Sequence, residues 1–181
     1  MPDAARPPRK RTIAREVALQ YLFQWDLLGD ALDSRPPLRT FCDEALAPQA
    51  DDPEVESFAR KLIDGVVANH AAIDAAIHDT ARNWSLSRMV GVDRTILRIA
   101  TFELGYCPDI PPRASINEAI ELAKKYSTDR SSAFVNGILD RILRRFSEVA
   151  PAVGSASEST GDTGRETEAT ASGSGRQPPV G

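Results

Sequence analysis

The sequence is poor in the residues that carry most enzyme chemistry. It has two cysteines, Cys42 and Cys107, too few for a disulfide scaffold and without the paired spacing of a zinc site. Both are expected to be buried thiols. The two histidines, His70 and His78, lie eight residues apart in one helical segment, about 12 Å of rise, so they cannot grip one metal ion as an i, i+4 pair would. No Walker A loop, GxGxxG, nucleophile elbow or HExxH occurs. Catalytic residues, a metal and a cofactor are therefore all expected to be absent. No apolar run approaches the roughly 18 residues of a membrane span, and the N-terminus lacks the apolar stretch of a secretory signal, which points to the cytoplasm. Period-two Val/Ile/Thr alternation and Asn-Gly hairpin turns are missing as well, which excludes a β-rich fold.

What is present is a helical pattern in a chain of 181 residues, the length of one ordinary domain. Apolar residues make up 41%, enough to bury a core. The net charge of −4 argues against a wholly basic nucleic-acid binder, but it is unevenly spread: residues 1–15 carry +4, residues 16–150 carry −6 and residues 151–181 carry −2. Residues 1–10 read as a flexible basic arm and residues 11–150 as an all-α, compact bundle of six or seven helices. Residues 151–181 read as a disordered tail, because Gly, Ser, Thr, Ala and Glu cannot offset their ordering entropy by burial.

Thr12 is the expected N-cap of a first helix ending at Leu28, with Ile13, Ala14, Val17, Tyr21, Trp25 and Leu28 on its core face. Arg15, Leu19 and Phe23 form a second stripe at i, i+4 and i+8. Either the helix is buried on two sides, or it offers a guanidinium and an aromatic ring to a partner. A weak short helix follows Pro36-Pro37. The spacing then predicts one helix of more than twenty residues from Pro53 through Ile77, a turn at Trp84 to Met89, and a central helix from Val92 to Leu104. Cys107 to Pro112 is a rigid connector. Ser115 and Glu118 have capping-box spacing for the next helix, and Ser131 or Ser132 starts the last. Asn117 and Asn136 have the pattern of polar residues that satisfy backbone groups at a helix crossing. Gly137 suits close helix packing, and Trp25 and Trp84 suit the core.

The cluster Arg9-Lys10-Arg11, with Arg15 one turn on, sits at a helix N-terminus, where partial positive charge favours anions. A phosphate would satisfy both the cations and the exposed backbone N–H groups, and Phe23 two turns along could stack a base. The expected ligand is RNA.

On these residues the chain resembles the NusB family of bacterial transcription antitermination factors over about residues 9–147. The resemblance rests on Ala14-Arg15-Glu16 leading to Gln24-Trp25, on Val92-Asp93-Arg94-Thr95-Ile96-Leu97-Arg98-Ile99-Ala100 with Glu103-Leu104, on Ile110-Pro111-Pro112 followed by Ile116 to Lys124, and on Phe134-Val135-Asn136-Gly137-Ile138-Leu139-Asp140. It implies an all-helical RNA-binding protein that pairs with the ribosomal protein NusE, binds the boxA element of nascent rRNA leader transcripts, and joins RNA polymerase with other Nus factors. It further implies that Arg9, Lys10, Arg11 and Arg15 form an arginine-rich RNA-binding motif, with Phe23, Phe134 and Asn136 on the same surface. Glu103, Glu118 and Asp129 are the expected acidic face toward NusE. Arg130 departs from the family pattern, which commonly has an acid there. Two other readings of such a domain are an accessory module of an rRNA methyltransferase and a protein-binding helical module without RNA affinity. The first needs a following cofactor-binding α/β domain, for which the polar tail shows no signal.

Overall fold

A computed structural model describes residues 10–28, 52–81 and 88–149, which form six α-helices and no strand. They are α1 (Lys10–Leu28), α2 (Pro53–Ala68), α3 (His70–Thr80), α4 (Gly91–Tyr106), α5 (Pro112–Tyr126) and α6 (Ser131–Val149). Arg9, Cys42, Trp84, the helix expected after Pro36-Pro37 and the tail from 151 lie outside the described residues.

The helix most apolar in sequence is the axis of the bundle. From Thr95 to Glu103 every residue of α4 is buried, and α1, α2, α3, α5 and α6 each pack against it. Around this axis α1 lies beside α2, α2 beside α3, α3 beside α6 and α6 beside α5. Side chains close the ring between α5 and α1: Lys125 Nζ reaches Glu16 Oε1 at 2.7 Å, and Arg15 Nη1 lies 3.5 Å from Glu118 Oε2. Because α1 packs against both α2 and α4, it is buried on two sides. Ala14, Val17, Tyr21 and Trp25 are core residues, and so are Arg15 and Leu19 of the second stripe.

The helix expected across Pro53–Ile77 is two helices. Asp52 starts the first, its carboxylate accepting from Glu54 N at 2.9 Å ahead of Pro53. Asn69 ends it, with φ −110° and ψ 15°, and turns its side-chain amide back onto the Gly65 carbonyl at 2.8 Å. The helix is interrupted for this single residue, whose backbone N–H also donates to the Gly65 carbonyl at 3.1 Å, so the apolar spacing continues through the interruption into Ile73 and Ile77.

Four further local expectations change. α1 begins at Lys10, two residues before Thr12. α5 begins at Pro112, whose fixed φ suits a first helical position, so Ser115 is buried inside the helix instead of capping it. Glu118 is thereby free to face Arg15. Close helix approach belongs to Gly65 and not to Gly137: a Cβ on Gly65 would lie 2.0 Å from Phe102 Cζ, whereas one on Gly137 meets nothing within 4 Å. Asn117 is exposed, not at a helix crossing.

A polar lock crosses the core near the other end of α1. Arg98, 5% exposed in the middle of α4, donates to Asp26 at 2.6 Å and to both carboxylate oxygens of Asp74 at 2.7 and 2.8 Å, while Arg94 also pairs with Asp26. Burial would raise the Asp26 carboxyl, but the hydrogen bonds from Arg94 and Arg98 outweigh it and hold it below the ordinary aspartate value. His70 sits edge-on to Trp25, ring centroids 4.9 Å apart, on the same lock. α1, α3 and α4 are thus tied by charge as well as by apolar contact.

Candidate nucleic-acid interface

The N-terminal turn of α1 lies against the start of α2 and the connector after α4. Lys10 Nζ is 2.9 Å from both Asp52 Oδ2 and Glu54 Oε2. Arg11 stands over the Phe58 ring at 5.1 Å, with Asp109 Oδ2 4.0 Å from its Nη2. Lys61 donates to Asp109 Oδ1 at 3.1 Å. Apart from Asp52, these side chains line an open groove of about 520 Å³ together with Ser57. The hydrogen bonds that Lys10 donates to Asp52 and Glu54 push its ammonium pKa up, and the hydrogen bond from Lys61 holds the Asp109 carboxyl below the ordinary aspartate value. Exposed pairs of this kind contribute little to stability, and a phosphate can take the place of a carboxylate on each cation.

Arg15 has a different place. It is 4% exposed, and its Nε and Nη2 donate to Glu103 Oε1 and Oε2 at 2.8 and 3.1 Å. Phe58 covers it at 5.4 Å. Glu103 is itself 1% exposed. The expectation of Glu103 on an open acidic face is corrected by this burial: α4 is the bundle axis, and a carboxylate on it must find a cation inside. Glu118 is half-buried at the edge of the same pair, and Asp129 is exposed in the turn before α6.

The aromatic candidates gather at the opposite end of α4. Phe23, half-buried, lies over Gly91, where a Cβ would come within 3.0 Å of its ring. Phe134, also half-buried, lines a pocket of about 210 Å³ with Met89, Val90, Asp93, Thr128 and Ser131, rimmed by Arg88 and Arg130. Asn136 follows on α6, half-buried. From Arg11 to Phe23 the rise along α1 is about 18 Å, so the cations and the rings mark two ends of one molecule and not one pocket. Lys61 and Phe58 were missed from the sequence, because on α2 they read as a solvated charge and a core apolar residue. The Arg98 lock was missed too, although an arginine within Ile96-Leu97-Arg98-Ile99 was itself the signal that an internal carboxylate had to be near.

The NusB family model matches residues 12–144. The transcription antitermination protein NusB of Geotalea uraniireducens is 47% identical over 138 residues, covering 73% of this chain and 92% of that protein. Its counterpart in Desulfitobacterium hafniense is 41% identical over 133 residues, covering 74% and 87%. Among solved structures, T. maritima NusB superposes with a TM-score of 0.64 at 38% identity, covering 76% of this chain and 92% of that one. A structure of the antitermination factors NusB and NusE in complex with dsRNA aligns with a TM-score of 0.66 at 28% identity, covering 76% and 98%. With the same helical bundle and the family's sequence blocks along most of its folded length, the chain belongs to the NusB family.

Proposed function

We propose that this protein is a transcription antitermination factor that binds boxA-type RNA together with the ribosomal protein NusE and assembles with RNA polymerase and other Nus factors. The observation that carries the reading is the cationic first turn of α1, Lys10 and Arg11 beside Lys61, in a member of a family whose solved relatives include a complex with NusE and RNA. Arg9 extends the cluster by one residue. Phe23, Phe134 and Asn136 form a second RNA contact at the far end of α4. Glu118 and Asp129 are the acids offered to NusE, and Glu103 serves them indirectly by holding Arg15. The protein acts by binding, without a catalytic step, a cofactor or a metal, and it works in the cytoplasm, where transcription takes place. Residues 11–150 are the binding domain, joined by Lys10 as the first residue of α1; residues 1–9 and 151–181 are appendages to it.

Titration with boxA-like and scrambled RNA of equal length, with and without NusE, tests the reading. Tighter binding of boxA, tightened again by NusE, is the expected result. By linkage RNA must tighten NusE binding by the same factor. Equal affinity for both RNAs in both conditions would overturn it in favour of a purely protein-binding module.

A further inference from the structure

From the Phe134 pocket, one edge of α6 runs toward the C-terminal end of the bundle. At 3.6 residues per turn, Phe134, Arg141 and Arg145 fall within about 20° of one line. Arg130 precedes them by one turn, since Phe134 N donates to the Arg130 carbonyl at 3.3 Å, and Arg144 stands beside Arg141. Residues 130–148 carry four arginines against Asp140 and Glu148. Between the ring and the guanidiniums lies Gly137, where even a Cβ would meet nothing within 4 Å, so the surface there is open. Beyond it, Asp79 and Thr80 of α3 face Arg141 and Arg145 across a cleft of about 680 Å³.

The cations of this edge differ from those at the start of α1. Lys10, Arg11 and Lys61 each rest against a carboxylate. On α6 only Arg145 does, donating to Asp79 Oδ2 at 2.9 Å and holding that carboxyl below the ordinary aspartate value. Arg88, Arg130, Arg141 and Arg144 are exposed, and their guanidinium groups make no ion pair or hydrogen bond among the described residues. A polyanion approaching Lys10 must displace Asp52 and Glu54; at Arg141 and Arg144 it displaces only water. The guanidinium stays charged at any physiological pH, and its planar fork matches two phosphate oxygens.

We infer that this edge of α6, from Arg130 through Arg141 and Arg144, is a second phosphate-binding track for single-stranded RNA, continuing the RNA surface beyond Phe134 for about 15 Å of helix. The inference rests on the RNA-binding reading above, and it assigns to the far side of the bundle a role separate from the α1 cluster. Arginines about three turns and then one turn apart, with an aromatic ring between the first two, suit a strand held by its backbone, whose bases are not individually read. Charge complementarity favours RNA over NusE as the occupant, since a basic protein would meet like charge there.

The test uses the full chain, a boxA-like RNA of about 16 nucleotides, the upper end of single-strand site sizes, and binding measured over a range of salt concentrations. Arg141→Gln with Arg144→Gln keeps helix propensity and removes two exposed charges, so the melting temperature should equal the parent's. The log–log salt slope should fall by about 1.4, about 0.7 for each lost contact. Arg141→Lys with Arg144→Lys should restore it. An unchanged slope in the Gln variant, with the parent binding RNA normally, overturns the track and leaves the α1 site standing. A parent that binds no RNA overturns the underlying reading and the track with it. If deleting residues 151–181 returns the Gln variant's slope to the parent's value, the ridge holds the acidic segment containing Glu158, Asp162, Glu166 and Glu168, and RNA is not its occupant.

Discussion

Arg15 and Glu103 meet in a two-pronged hydrogen-bonded pair across the seam between α1 and α4, with neither side chain more than 5% exposed. Eighty-eight residues separate them in sequence, and they fasten the helix that begins the domain to the helix that forms its axis. The pair also sets the angle from which Arg11 and Lys10, one turn earlier, reach the surface. Loss of RNA binding on mutating Arg15 therefore has a structural route.

Removing one partner of such a pair strands the other charge in the core. Arg15→Ala should destabilise the fold by about 3–5 kcal/mol, and Arg15→Met with Glu103→Leu should recover most of that loss. Chemical denaturation measures both. If the folded double variant binds RNA with the parent's salt slope, Arg15 is a positioning residue. A slope lower by about 0.7 would make it a phosphate contact.

Lys10 and Arg11 present the opposite case, being exposed and only loosely held by carboxylates. Lys10→Ala with Arg11→Ala should leave the melting temperature close to the parent's, because exposed ion pairs are screened by water and contribute little to stability. RNA affinity should fall, with a salt slope smaller by about 1.4. Unaltered RNA binding would remove the first turn of α1 from the interface.

The glycines should separate by sign. Gly65→Ala drives a methyl group into the Phe102 ring and should cost about 1–3 kcal/mol through overpacking of the α2–α4 contact. Gly137→Ala enters open space inside α6 and should gain up to about 1 kcal/mol of helix propensity. Thermal melts of the two variants should move in opposite directions; a stabilised Gly65 variant would contradict the contact.

Burial holds the His70 imidazole pKa below the ordinary histidine value, against the pull of Asp74, and Arg98 adds to the depression. A lowered folded pKa means that the unfolded chain takes up the proton more readily. The contribution is complete above the unfolded pKa of about 6.5 and is lost as pH falls from there through the folded pKa. Between pH of about 7.5 and 5, stability should drop less in His70→Gln than in the parent. Parallel pH profiles for the two would show that His70 titrates alike in both states.

The helical class, the start of α2, the centrality of α4 and the cluster of cations around the start of α1 are legible in the amino-acid pattern alone. Those features rest on short-range physics: apolar residues recurring every three to four positions, a capping Asp52 before Pro53, a helix apolar on most faces, and charges adjacent in the chain. Even the break at Asn69 is local, but its side-chain hydrogen bond leaves no mark on the apolar period. Which charges face water depends instead on how the helices pack. Arg15 and Glu103 look on paper like an RNA contact and a partner contact, and they are each other's partner because α1 lies against α4. Arg98 finds Asp26 and Asp74, and Gly65 rather than Gly137 admits a neighbouring ring, for the same reason. A one-dimensional pattern tells which face of a helix is apolar, but it does not tell which helix lies against the other faces, and a charge is a surface group or an internal one according to that neighbour.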